Sequence, residues 1–470
     1  MYSKNTFLKN FGINKHINNL QKKFISKLNV ANIKPNQVHN ILRKTMLVDG
    51  YDLVFDPKKS HGSYLHDSVT QKDYLDMFSF FASWSLSYDH PKLNNNEFKH
   101  LMGELSIHNP ANSDIYTKEF AQFVATFERV CMPQGFNHLF LISTGTLAVE
   151  NALKIAFDWK AKKNLKAGKK IKNNKVIHFR EAFHARSGYA LSLTNTDPAK
   201  YLHFPLFDWP RIINPKITFP LEDLNLENCI NNEEASLNHI EALLIDDGDD
   251  ISSIILEPIQ GEGGDNHFRP EFWQSLRKLA DQYDVMLIAD EVQSGMGMTG
   301  KMWAYQHLGA QPDIICFGKK AQVCGVMCNS RVDEVEDNVF NVSSRINSTW
   351  GGSLTDMMRS VKIIETIEEE NLVENARILG TYTLGKLHKL SNKYPTTILN
   401  VRGKGLMCAF DLPNKELCAK LLKVAYENQL IIISCGNQSI RLRPLLDVKY
   451  EDIDNLYNIL DKCINKLQNE

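Results

Sequence analysis

No apolar run in this sequence reaches the roughly 18 residues that a membrane-crossing helix needs. Net charge is nearly absent as well: 54 Lys and Arg against 55 Asp and Glu leave −1, so no global field draws the chain to nucleic acid or an anionic membrane. The nine cysteines form no paired framework, and Cys316, Cys324 and Cys328 lie in or beside apolar runs. That distribution suits a reducing compartment better than a secreted, disulfide-bonded protein. Acidic residues are missing from positions 1–48, which carry nine Lys or Arg, with Phe7, Phe11, Ile17, Leu20, Phe24 and Leu28 at helical spacing between them. An acid-free basic amphipathic start can be an organelle-targeting peptide. Here it is rich in lysine rather than arginine, so a solvated or docked extension over residues 1–33 is the competing reading. The expected location is intracellular: cytoplasmic, or the mitochondrial matrix if residues 1–30 act as a targeting peptide.

What is present is an ordinary globular composition, 43% hydrophobic and 23% charged, over 470 residues, longer than one hydrophobic core usually supports. Two strand pieces are expected near Gly50–Phe55 and Gly62–Asp67, followed by the aromatic stretch Tyr74–Phe81, read as core or interface packing. From Phe136 the pattern alternates. Strands are predicted at Leu139–Ser143, Lys175–Phe179, Ser253–Pro258, Val285–Asp290, Asp313–Phe317 and Gly325–Asn329, with helices such as Leu147–Lys160 and Glu271–Tyr283 between them. Such alternation argues for an α/β fold, a mostly parallel sheet with helices on both faces. After Asp356 one long helical pattern runs towards Leu390, and a mixture of short strands and helices then reads as a smaller α+β domain.

The chemistry centres on Val285–Gly325. The runs VMLIA and DIICF end in Asp290-Glu291 and Gly318-Lys319-Lys320. In an open α/β sheet ligands sit beyond the carboxyl ends of the strands, so a carboxylate and an amine would face one crevice. That pair suits pyridoxal phosphate, whose aldehyde takes a lysine and whose pyridine nitrogen takes an aspartate. Ser143-Thr144-Gly145-Thr146 leaves a strand and opens a helix, where free backbone N–H groups welcome phosphate. Phe183 and Arg186 follow the strand KVIHF, an aromatic face for a planar ring and a forked donor for a carboxylate. Glu257–Gly264 forms a glycine-rich strand exit, and a carboxylate there could hold a cation until an anionic substrate displaces it. Arg441 and Arg443 share one face of a late strand, where arginine needs an anion. Three patterns read blandly. Gly295-Met296-Gly297-Met298-Thr299-Gly300 matches GxGxxG without the strand, helix and acid of a dinucleotide site. Lys160–Lys175 and Asp246–Asp250 read as solvated charge rather than phosphate and calcium sites. Cys324 and Cys328 read as buried thiols.

Together STGTLAVENALK, FHARSGY, EPIQGEGGDNHFRPEF, LIADEVQSGMGMTG, PDIICFGKK, NSTWGG and IRLRP resemble, in order, the class III pyridoxal-phosphate aminotransferases. EPIQGEGGD, CFGKKAQVCGVM and RVDEVEDNVF resemble the branch of that family acting on the ε-amine of L-lysine. The likeness spans about Lys34 to the C-terminus. It implies a fold-type I transferase with residues 34–75 joining a small domain, a large cofactor domain over 76–355 and a small α+β domain over 356–470. It implies pyridoxal 5'-phosphate bound by Lys319 and Asp290, with Gln293 at the ring oxygen, Phe183 stacked on the ring, and Gly145 and Thr146 on the phosphate. Thr349 would reach the phosphate from a second subunit, so a homo-oligomer, at least a dimer, is expected. Arg186 and Asn347 would bind a substrate carboxylate, and Glu262 would pair with Arg441 until 2-oxoglutarate arrives. The donor expected is L-lysine, with ornithine or 4-aminobutyrate transamination the alternative and a non-catalytic scaffold a further one. Ala185 departs from the family, which usually has glycine there.

Overall fold

The computed structural model describes residues 33–171 and 174–469, so the basic extension read over residues 1–33 lies almost wholly outside the described residues. Residues 33–56 with 66–72 form one compact unit, and residues 57–65 with 73 onward form a second. In the first, a short helix, Val38–Leu42, precedes a loop organised by Asp67. The Asp67 carboxylate accepts from the N–H groups of Val54, Val69 and Thr70 and from the Thr70 hydroxyl. Burial alone would raise its pKa, but these donors hold it below the ordinary value. Gly50–Phe55 is not a strand: only Phe55 makes a bridge, to Asp67. The loop satisfies its backbone through the aspartate instead.

The second unit is built on a seven-stranded sheet. We number its strands β1 (Phe136–Ile142), β2 (Lys175–Phe179), β3 (Arg211–Ile212), β4 (Ile251–Leu256), β5 (Met286–Asp290), β6 (Ile314–Phe317) and β7 (Cys324–Asn329). Their spatial order is β1-β7-β6-β5-β4-β2-β3. All are parallel except β7, which pairs antiparallel with both β6 and β1. The side chains alternate between two cores. Ile177, Ile254, Leu256, Leu287, Ala289, Ile315 and Phe317 join one, whereas Val176, Ile255, Met286, Ile288, Ile314 and Cys316 join the other. Both faces are therefore buried, which is why these strands read as continuous apolar runs. The helix Gly145–Lys166 covers one face through Ala148, Ala152, Ile155 and Trp159; Pro270–Gln282 and Leu354–Glu369 cover the other.

A separate four-stranded antiparallel sheet joins Leu399–Lys404, Met407–Asp411, Ser439–Leu442 and Ile433–Cys435. The strand Asp73–Asp76 pairs parallel with Leu430–Ile431. Tyr74 stacks on Tyr426, and Ser79–Ala82 makes a left-handed turn with φ of 40° to 62° that packs Phe78 edge-on against Phe80 and Phe81. The long helical pattern after Asp356 is two helices, Leu354–Glu369 and Leu372–Lys393, because Asn371 adopts φ 52° between them. Asparagine tolerates that left-handed conformation better than most residues. The lysines and aspartates read as solvated charge meet one another, as in Lys169–Asp249 and Lys175–Asp247. Among the described residues no helix is long and apolar enough to cross a membrane.

Candidate active site

Strands β5 and β6 lie side by side with Asp290 in register with Cys316, so Asp290 and the Gly318–Val323 connection leave the same sheet edge. That connection is the tight turn that reverses the chain into β7. Lys319 sits in it at φ 50° and Gln322 at φ 60°, held by hydrogen bonds from Gln322 N to Lys319 O (2.8 Å) and from Gln322 Nε2 to Ser83 O (2.8 Å). Left-handed conformations at non-glycine residues cost energy and collect at functional sites. A cavity of about 300 Å³ opens here, and Lys319, Asp290, Gln293, Glu257, Glu262, Phe183 and His184 are among its lining residues. Burial, followed by the nearby Arg441 and Arg443 cations, brings the Lys319 amine down to about 7 against the opposing pull of Asp290 and Glu257. Lys320 points away from the cavity: it is fully buried and donates to Gln293 O at 3.2 Å.

Asp290 is buried and fixed from two sides. Its Oδ1 accepts from Val292 N at 3.1 Å, and its Oδ2 lies 2.8 Å from His184 Nδ1. Burial opposes charge on His184, yet the hydrogen bond and charge of Asp290 prevail and raise its pKa. Glu257 accepts from Phe183 N and Gly261 N, and burial with the neighbouring Asp290 charge pushes it up to about 7 despite His184. His184 belongs to a motif visible in the sequence, but its partner is 106 residues away and no spacing rule reveals the pair.

The opposite wall is the start of the helix Gly145–Lys166. Its N-cap, Thr144, has φ 74° and makes no side-chain cap, so the first-turn N–H groups are not capped from within the helix. A Cβ on Gly145 would lie 3.1 Å from Val292 Cγ1, so this edge admits no larger residue without movement. Thr146 Oγ1 meets Ser187 Oγ at 2.6 Å.

Carboxylates and arginines fill the remaining side. Arg443 makes a buried bidentate pair with Asp265, while Arg441 Nη2 donates to Glu262 Oε2 at 2.6 Å. Both arginines also donate to Gln293 Oε1, at 3.2 and 3.0 Å, so they do share one face. Glu262 has a second cation that the sequence did not signal: Lys200 Nζ reaches its Oε1 at 2.8 Å and lies 5.2 Å from the Phe183 ring centre. Burial would raise the Glu262 pKa, but Arg441 and Lys200 hold it below the ordinary value.

Four expected residues are not part of the cavity lining: Arg441, buried and paired with Glu262, and Arg186, Asn347 and Thr349. Arg186 is exposed, one position beyond Ala185, and forms no ion pair among the described residues. Asn347 and Thr349 are exposed in a loop before Leu354, where Ser143 Oγ donates to Trp350 O at 2.7 Å. Cys324, read as a buried thiol, is half-buried and lines the cavity; Cys328 is fully buried. The GxGxxG residues form consecutive turns in which Gly300 N donates to Gly297 O. The site can thus hold an anion at a helix start, present a nucleophilic amine facing the Asp290 carboxyl, and expose or cover an arginine.

Comparison with known proteins agrees with this chemistry. The chain is 47% identical over 422 residues to an L-lysine-epsilon aminotransferase of Mycobacterium tuberculosis, covering 89% of this chain and 93% of that protein. It is 45% identical over 441 residues to the L-lysine-epsilon aminotransferase of Streptomyces clavuligerus, covering 93% and 95%. The solved lysine aminotransferase from M. tuberculosis in the internal aldimine form superposes with a TM-score of 0.90 at 46% identity, over 92% of this chain and 99% of that one. The family model for class III aminotransferases matches residues 45–464, and the chain belongs to that family.

Proposed function

We propose that the chain transfers the ε-amino group of L-lysine to 2-oxoglutarate. The products are 2-aminoadipate 6-semialdehyde, which cyclises to 1-piperideine-6-carboxylate, and L-glutamate. Transamination follows from the family, and the choice of lysine is supported by the relatives at 45–47% identity named for that donor. The observation that carries the reading is the single cavity shared by Lys319, Asp290, Phe183 and the Gly145–Thr146 helix start.

Those groups fit pyridoxal 5'-phosphate. The amine brought down to about 7 suits its aldehyde, the buried Asp290 carboxyl its pyridine nitrogen, and the helix start with no side-chain cap its phosphate. Gln293 and Phe183 line the same cavity and would meet the ring oxygen and the ring face. When bound, the cofactor supplies an electron sink for breaking the bond from the substrate carbon to hydrogen.

The chain's own residues do the rest. Lys319, neutral above about pH 7, is the base for the Cε–H proton of lysine. His184 orients the Asp290 carboxyl through the 2.8 Å contact of its Nδ1 with Oδ2. Arg186, exposed and free to turn, takes the α-carboxylate of the substrate, and Asn347 assists. The two substrates use the cavity in turn. While lysine is bound, Glu262 covers Arg441; for 2-oxoglutarate, Glu262 turns aside and Arg441 takes the second carboxylate. Thr349 and Asn347, exposed on their own chain, serve the site of a second subunit in a homodimer or larger assembly.

The test is glutamate formation from 2-oxoglutarate with lysine, ornithine and 4-aminobutyrate as donors. Lysine should give the highest kcat/KM; ornithine or 4-aminobutyrate exceeding it would assign the chain to another branch of the family.

A further inference from the structure

Glu262 is shared between two cations, one oxygen to each. Oε2 accepts from Arg441 at 2.6 Å and Oε1 from Lys200 at 2.8 Å. The two cations differ in setting. The Arg441 side chain is 2% exposed, whereas those of Lys200 and Glu262 are 20% and 29% exposed, so the Lys200 contact lies on the solvent side of the pair. Lys200 is itself anchored. It closes the turn Pro198–Lys200, which Asp197 caps by accepting from Ala199 N, and its Nζ also donates to Thr196 Oγ1 at 2.9 Å. The Glu262 backbone is pinned as well, because its carbonyl accepts from Gly436 N at 2.8 Å. On the dual-substrate reading, release of Arg441 would need only a swing of the Glu262 side chain about an oxygen that Lys200 already holds.

We propose that Lys200 is a positioning residue for acceptor selection: it keeps the Glu262 carboxylate paired when a dicarboxylate takes Arg441. Without it, the displaced carboxylate would sit partly desolvated with no cation, and that cost would fall only on ligands that open the Arg441 pair. Ligands that leave Arg441 covered would not incur it. The inference rests on the dual-substrate reading above and adds a residue to it.

The experiment measures binding of two unreactive acids to the holoenzyme, glutarate with two carboxylates and pentanoate with one. Wild-type protein should prefer glutarate. Lys200→Met, which keeps an aliphatic chain over Phe183, should reduce that preference about tenfold, the effect of losing one charge-assisted hydrogen bond at a partly exposed site. Lys200→Arg should restore most of it. In a Glu262→Gln background the Lys200→Met change should have little further effect, because the lysine acts through the carboxylate. Equal weakening of both acids, or an undiminished effect in the Glu262→Gln background, would overturn the proposal and leave Lys200 a general attractor of anions. A wild-type protein with no preference for glutarate would instead remove the dual-substrate reading on which it stands.

Discussion

Two adjacent lysines, Lys319 and Lys320, are separated in function by where their side chains go. Lys319 lines the cavity, while Lys320 is buried against the Gln293 carbonyl. The low Lys319 pKa has a direct consequence for pH. Its folded value of about 7 lies below the ordinary 10.5, so the amine is protonated below about pH 7 and neutral above it. Only the neutral amine attacks an aldehyde. The rate at which cofactor-stripped protein takes up pyridoxal phosphate should therefore rise through about pH 7 and level off above it. Arg441→Met should move that midpoint upward, since it removes a cation that disfavours the protonated amine. Stopped-flow absorbance at a series of pH values checks both; a midpoint near 10 in the wild type would contradict the assignment. Most of these residues were legible because each stands at the end of a short apolar run, where a strand hands the chain to the ligand edge. Lys200 was not, because nothing in DPAK marks it until the fold brings it to Glu262, 62 residues on. Nor could spacing pair His184 with Asp290. Choosing Lys319 over Lys320 needed the family resemblance, since both follow Gly318.

At the scale of elements, the site is two junctions: the β6–β7 turn that carries Lys319, and the step from β1 into the helix Gly145–Lys166. The second junction works by closeness. A Cβ at position 145 would lie 3.1 Å from Val292 Cγ1, and valine adds two further methyl groups. Overpacking of this kind costs about 1–3 kcal/mol. Gly145→Val should weaken pyridoxal phosphate binding by about tenfold or more while the protein still folds, as judged by titration and circular dichroism. Unchanged affinity would mean the helix start does not hold the phosphate. The strands were readable for a related reason. β4 and β5 are buried along their whole length, and burial on both faces selects uniformly apolar residues. Shorter features escaped. Ile432 interrupts the run Leu430–Ser434 so that its two halves join different sheets, and Asn371 divides one helical pattern into two. Each depends on which neighbour accepts the backbone, which periodicity does not encode.

For the molecule as a whole, charge balance is local as well as global. Lys163 pairs with Asp284 and Glu334, and Lys175 with Asp247, so these lysines of the basic stretch are matched by neighbouring acids. Exposed pairs of this kind contribute about 0–1 kcal/mol each, and salt should alter stability little. Thr349 and Asn347 are exposed on their own chain, and their proposed place in a second subunit's site allows a complementation test. A hybrid dimer of one Lys319→Ala chain and one Thr349→Ala chain would contain one site with both residues intact. Co-expressed chains should therefore be more active than either variant alone, and activity no greater than their mean would place Thr349 outside the site. The central claim is that Lys319 is the amine on which lysine transamination depends. Lysine-dependent glutamate formation from 2-oxoglutarate, compared between wild type and Lys319→Ala under saturating pyridoxal phosphate, tests it most directly. The wild type should turn over and Lys319→Ala should fall by at least about a thousandfold, the scale of losing a general base together with the covalent anchor. Retention of lysine-dependent turnover by Lys319→Ala would contradict the account.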